Sequence, residues 1–190
     1  MDNFYALISR MKNIGRWALM RSVTPENVQE HSHMVAVLAH ALALVRRDIL
    51  GLPADPERCA TAALYHDASE ILTGDLPTPI KYYNPEIKEA YKQVEQISGD
   101  KLLQMLPEPL RESYAPLIHE TDATSHDIVK AADKLSAHIK CIEELKAGNL
   151  EFESAAAQTY AALEQMHLPE LDWFVQHCLP PFSKNLDELE

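Results

Sequence analysis

Between Val28 and Val45 the apolar side chains return at steps of three and four, and a histidine stands among them. Val28, His31, Val35, Leu38, Leu42 and Val45 therefore share one stripe of an α-helix, a spacing that no strand turns to a single side. Such a stripe has to be buried against other elements, and an imidazole inside it has to find a partner. The segment from Thr24 to Arg47 carries signals at both ends: Thr24 as cap, Pro25 at the first helical position, Glu26 in the first turn and Arg46-Arg47 in the last. His31 is expected to face the core, with His33 and His40 on the opposite, solvent side.

The rest of the chain repeats the pattern. A second helix is expected from the Asp55 cap and Pro56, running through Cys59, Ala62, Ala63, His66 and Glu70 along one face. From Thr73 to Pro85 the prolines and Gly74 break the regularity, so Asp75-Leu76-Pro77-Thr78 falls in a loop directly after the His66 helix. Further helices are predicted over 85–106, 125–146 with Gly148 just past the end, 151–166 and 171–178, and nothing alternates like a strand. At 190 residues, with 46% hydrophobic side chains and five glycines, the expectation is one all-α domain over residues 1–190, a compact helical bundle.

Charge narrows the partners. Twenty-nine acidic against seventeen basic side chains give a net charge of −12, which repels a nucleic-acid polymer. The same field repels a small phosphorylated substrate unless a local cation or a bound metal holds it. The start, Met1-Asp2-Asn3-Phe4-Tyr5, does not read as a signal peptide, and no apolar run is long enough for a bilayer, so the reading is a cytoplasmic protein without a membrane partner. Cys59, Cys141 and Cys178 form no Cys-x-x-Cys pair and read as small buried apolar residues.

His66 and Asp67 sit side by side in an otherwise apolar helix, followed one turn later by Glu70. Ionisable groups there are costly unless paired or bound to a metal. Imidazole and carboxylate without thiolate suit manganese, cobalt, iron, nickel or zinc in a catalytic rather than a structural site. In isolation the pair reads more readily as one polar turn satisfied by hydrogen bonds than as a metal site.

The full series decides differently. Glu30-His31-Ser32, Tyr65-His66-Asp67 and Ala131-Ala132-Asp133 lie in that order on separate predicted helices, and resemble the His, His-Asp, Asp signature of the HD superfamily of metal-dependent phosphohydrolases. Asp133 lies at the edge of its own apolar stripe, so its place rests on that resemblance. Asn13-Ile14-Gly15-Arg16-Trp17, Glu26-Asn27-Val28 and Leu72-Thr73-Gly74-Asp75-Leu76-Pro77-Thr78-Pro79 are similar to the bacterial HD-domain 5'-deoxynucleotidases almost end to end.

That resemblance implies an HD-type helical fold, a homodimer, and hydrolysis of 2'-deoxyribonucleoside 5'-monophosphates to deoxynucleoside and phosphate. It implies one divalent ion per subunit, Co2+ or Mn2+ first, on His31, His66, Asp67 and Asp133. It further implies phosphate orientation by Arg16, sugar contact by Trp17, and substrate contacts from Asp67, Asp75, Leu76, Pro77, Thr78 and Asp133. Phosphate-ester hydrolysis needs a metal, an orienting cation and acid–base groups, and Arg16, Glu70 and Asp75 complete that set. Two other readings share the core: an HD phosphohydrolase for a nucleoside triphosphate, alarmone or cyclic dinucleotide, and a non-catalytic metal-binding adaptor. The chain offers few cations for extra phosphates, and retention of Arg16, Glu70 and Asp75 argues against an adaptor.

Overall fold

A computed structural model describes residues 2–81 and 83–189, with the backbone alone at Thr78 and Pro79. The stripe that opens the sequence becomes α2, Val28–Leu44, which continues into a π-helical turn at Val45–Ile49. Its start differs from expectation. Asn27, not Thr24, is the cap: its side chain accepts from Glu30 N–H while Glu30 reaches back to the Asn27 N–H, a reciprocal capping box. Pro25 and Glu26 thus precede the helix, and the Glu26 side chain is free for another purpose.

Ten α-helices lie among the described residues, and no strand. After a short α1 (Phe4–Ile8) and α2 come α3 (Pro56–Tyr65), α4 (Glu70–Thr73), α5 (Thr78–Lys81), α6 (Pro85–Gln104) and α7 (Glu108–Ile118). Then follow α8 (Ala123–Lys146), α9 (Glu153–Glu164) and α10 (Pro169–His177). The starts of α3, α6 and α8 are set by Asp55, Asn84 and Asp122, each accepting from the amide three residues on. Gly148, with φ +83°, takes the left-handed turn that closes α8.

The main core is where α2, α3 and α8 meet. Leu38, Leu42, Cys59, Ala63, Ile128, Leu135 and Ile139 are buried together there, with Leu163 and Leu171 closing one side. Each large aliphatic side chain in this position stabilises by about 1.5–3 kcal/mol relative to exposure. A smaller cluster of Phe4, Ala68, Leu102 and Leu106 ties α1 and α6 to the far end. At Gly99 an added Cβ would lie 2.5 Å from the His119 ring, so α6 and the end of α7 approach as closely as they do because no side chain intervenes.

Three further expectations are corrected. The helix through His66 to Glu70 is interrupted: α3 ends at Tyr65, and Ala68, Glu70 and Ile71 N–H bond to carbonyls only three residues back. The His66 side chain competes for the same turn, its Nδ1 lying 2.7 Å from the Ala63 carbonyl, and the chain tightens before α4 restarts. The Thr73–Pro85 stretch is not wholly irregular, since α5 forms within it. His40 is half-buried rather than solvent-facing, whereas His33 is exposed, and Cys59 and Cys141 are buried with Cys178 half-buried.

Candidate active site

His31 points from α2 into the junction with α8, with no exposed surface. Its Nε2 lies 3.0 Å from Asp133 Oδ1 and 3.6 Å from Asp67 Oδ2, and its Nδ1 lies 3.2 Å from Ser136 Oγ, one turn beyond Asp133 on the same helix. His66 arrives from the end of α3, its ring centroid 5.3 Å from that of His31. A carbonyl only accepts, so His66 Nδ1 must be the protonated nitrogen of the neutral ring. In that neutral form the lone pair is on Nε2, which is buried, has no hydrogen-bond partner among the described residues, and lies 3.2 Å from Asp67 Oδ2.

One donor atom from each of His31, His66 and Asp133 falls within 4.8 Å of the others. With Asp67 at the rim, this is a nitrogen and oxygen set of the kind that holds a borderline divalent cation, with the second nitrogen of each histidine fixed by a protein group. The residues present therefore fit a metal. Without a cation the histidines carry the positive charge: burial opposes the charged form, yet Asp67 raises His66 to about 9, so its Nε2 holds a proton that a metal would displace, while the histidines lower Asp67 to about 2 and Asp133 below its ordinary range. Asp133, 38% exposed, is the open side of the group.

A second arm comes from the segment before α2. Gly15 bridges Asn27 in antiparallel fashion, Arg16 N–H donates to Glu26 O at 3.0 Å, and Val28 N–H to Ile14 O at 2.9 Å. This lays Arg16 and Trp17 against the start of α2. Arg16 Nη1 reaches Asp67 Oδ2 at 3.4 Å and Nε reaches Glu26 Oε2 at 3.1 Å. The Trp17 indole N–H donates to the same Glu26 oxygen at 3.1 Å, and its ring packs on buried Phe152 at 5.2 Å between centroids. Burial works against the Arg16 charge, but Asp67, Asp133, Glu26 and Asp75 outweigh it and fix the guanidinium as a cation.

Glu70 opens α4 and is buried, with Oε2 unpaired among the described residues. Burial, then the Asp67 and Asp75 charges, push its carboxyl up to about 9. Asp75 follows Gly74, whose φ of +73° ends α4 and turns the chain back. Burial raises Asp75 too, against the pull of Arg16. Leu76 and Pro77 are half-buried in the same loop; the side chain of Thr78 lies outside the described residues.

Direct contacts thus unite Arg16, His31, His66, Asp67 and Asp133, and Glu70 and Asp75 interact with that group through charge. A cavity of about 510 Å³ opens onto His66 and Asp133 between α3, α6, α7 and α8, and Lys92 and Lys130 also line it. The residue that sequence reasoning passed over is Glu26, taken as a first-turn acid. Its signal was the Asn27-x-x-Glu30 spacing, which places the cap at Asn27, directly after Glu26 and three residues beyond Thr24.

The helical arrangement and the His, His-Asp, Asp group define a metal-dependent HD-domain phosphohydrolase. An HD-domain phosphohydrolase from Listeria innocua shares the fold at a TM-score of 0.80 and 22% identity, over 95% of this chain and 88% of that one. A cyanophage S-2L HD phosphohydrolase, solved with dA and one catalytic Zn2+ ion, shares it at 0.67 and 21%, over 95% and 96%. The profile of the YfbR-like 5'-deoxynucleotidases matches residues 3–182. A 5'-deoxynucleotidase of Erwinia tasmaniensis is 52% identical over 99% of this chain and 96% of its own length. One from Vibrio parahaemolyticus is 50% identical over 99% and 98%. The chain belongs to the YfbR-like 5'-deoxynucleotidase family, and is a phosphoric monoester hydrolase.

Proposed function

We propose that this site hydrolyses 2'-deoxyribonucleoside 5'-monophosphates to deoxynucleoside and phosphate, with His31, His66, Asp67 and Asp133 holding one divalent ion and Arg16, Glu70 and Asp75 as catalytic groups. The observation that carries the reading is the His66 turn: its Nδ1 is committed to the Ala63 carbonyl, so the buried Nε2, without a hydrogen-bond partner among the described residues, is the nitrogen left to face Asp67 and His31. A bound ion supplies charge neutralisation and Lewis acidity at the phosphoryl group. Arg16, held between Glu26 and Asp67, directs its free guanidinium nitrogens at phosphoryl oxygens. Glu70 and Asp75 are the acid–base pair. One carboxyl brings a proton to the leaving 5'-oxygen and one carboxylate takes a proton from the attacking water. Trp17 lies against the sugar, and Asp67, Asp75, Leu76, Pro77, Thr78 and Asp133 border the nucleotide.

Co2+ or Mn2+ is proposed as the native ion, and the donor set, imidazole and carboxylate without thiolate, accommodates either as it does iron, nickel or zinc. Free Cys59 and Cys141 suit a reducing cytoplasm, and a homodimer fits the exposed Leu72, Val94 and Ile97, whose apolar surface a second copy would cover. No helix among the described residues is long and apolar enough to cross a membrane. The test is phosphate release from matched deoxy- and ribonucleoside monophosphates by chelated protein to which single metals are restored. Faster turnover of the deoxy forms with cobalt or manganese is expected. Metal-independent release, or preference for triphosphates, would overturn the reading.

A further inference from the structure

We propose that Glu26 is a positioning residue that couples phosphate orientation to sugar selection, by holding the Arg16 guanidinium and the Trp17 indole on one carboxylate oxygen. This rests on the roles given above to Arg16 and Trp17. Both Arg16 Nε and Trp17 Nε1 donate to Glu26 Oε2 at 3.1 Å, and the Glu26 carboxylate is 16% exposed. Glu26 itself touches neither the metal group nor the reacting atoms.

The chemistry of each bond gives it a distinct effect. A guanidinium presents more than one edge to an anion, and Glu26 occupies the Nε position, so Nη2 and the second N–H of Nη1 are what is left for phosphate. Asp67 Oδ2 pins Nη1 from the other end at 3.4 Å, so the plane of the guanidinium is fixed at two points. The indole has a single donor. Because Glu26 consumes it, the ring offers the sugar a purely apolar surface and gives a 2'-hydroxyl no partner. Trp17 also sits at φ +59°, a left-handed backbone that a bulky residue adopts only when its surroundings hold it there. The holding contacts are the Glu26 bond and the packing on Phe152.

Glu26→Gln and Glu26→Ala should both fold. The main-chain ties of this segment, Arg16 N–H to Glu26 O and Val28 N–H to Ile14 O, need no carboxylate. In Glu26→Gln, kcat on a deoxynucleoside monophosphate should fall about tenfold with metal content unchanged. The ratio of deoxy to ribo kcat/KM should fall about fivefold, and further in Glu26→Ala. In a Trp17→Phe background, which already lacks the indole N–H, Glu26→Gln should leave that ratio within about twofold while still lowering kcat through Arg16. In a Trp173→Phe background, which leaves Trp17 as the reporter, the emission of Trp17 should move to longer wavelength in Glu26→Gln.

A folded Glu26→Ala protein with wild-type ratio, kcat and Trp17 emission overturns the proposal. So does an equal loss of the ratio in the presence and absence of the indole N–H. If Arg16→Gln and Trp17→Phe themselves leave the kinetics at wild type, the roles of those two residues fail and this inference fails with them. If they act and Glu26 does not, the coupling alone is refuted.

Discussion

Glu144 is the strongest single test of how the fold holds the arm that carries Arg16 and Trp17. Its side chain is 1% exposed and that of its partner Lys140, one turn earlier on α8, is 4% exposed. The carboxylate accepts from the amides of Val23 at 2.8 Å and Thr24 at 3.1 Å and from Asn149 Nδ2 at 2.8 Å, while Lys140 also donates to the Thr24 carbonyl. Burial alone would raise the carboxyl; these donors overcome it and lower it to about 2 from an ordinary 4.5. That difference corresponds to about 3 kcal/mol of stability at neutral pH. The sign follows from the direction: the contribution is complete above pH 4.5 and is lost as the pH falls toward 2, because the unfolded chain takes up the proton first.

Removing one member of a buried pair costs about 3–5 kcal/mol, since the other charge is left without a partner. Glu144→Ala should therefore lower the midpoint of thermal unfolding by roughly 6–20 °C at neutral pH, at about 2–4 °C per kcal/mol for a chain of this size. Calorimetry at pH 7, with denaturant titrations repeated at lower pH, reads both quantities. In Glu144→Gln the stability lost between about pH 5 and pH 2 should shrink by the Glu144 share. Lys140→Met with Glu144→Leu should recover only part of the loss, because the Val23 and Thr24 amides still lack an acceptor. A fall of less than about 3 °C in Glu144→Ala, with an unchanged acid profile in Glu144→Gln, would refute the reasoning.

Other predictions concern the chemistry. His31→Ala or Asp133→Ala should weaken metal binding by at least about a hundredfold in calorimetric titration and reduce phosphate release to background; full metal content and turnover in Asp133→Ala would remove Asp133 from the ligand set. Glu70→Gln should keep its melting temperature and metal yet lose about 10²–10⁴ in kcat, as expected for an acid–base group, and wild-type turnover would end that role. Trp17→Ala should narrow the preference for deoxyribose. A buried unpaired hydroxyl costs about 1–3 kcal/mol, or roughly 5–150-fold in specificity, and an unchanged ratio in folded protein would return Trp17 to simple packing.

Much of the bundle was legible because its signals are local. The α2 stripe, the Asp55-Pro56 start of α3 and the Gly148 end of α8 each follow from side chains within one turn of the feature. The start of α2 was ambiguous for a physical reason. Thr24-Pro25-Glu26 and Asn27-Val28-Gln29-Glu30 both satisfy the preferences of a helix N-terminus, and only the reciprocal bonds in the folded chain choose between them. The helix α7 gave little warning, because Pro109 and Pro116 lie within it and it buries no side chain fully, so no apolar stripe marked it.

The candidate metal group was legible as a set of residue types, but its geometry was not, as the turn at His66 shows. Cys59, Ala62, Ala63, His66 and Glu70 keep helical spacing across a stretch where the backbone tightens to bonds three residues apart, since periodicity reads the direction of side chains and not the closing of each turn. On an uninterrupted helix, His66 and Asp67 would point about 100° apart. A turn tightened to three residues separates them by about 120°, yet His66 Nε2 lies 3.2 Å from Asp67 Oδ2, which in turn lies 3.6 Å from His31 Nε2, so the side-chain rotamers rather than the backbone bring them together. Trp17 likewise has a left-handed backbone that departs from local preference where Glu26 and Phe152 hold it. Two of the positions at which local preference failed to predict the chain, the turn at His66 and the backbone of Trp17, are therefore positions where the candidate site is assembled.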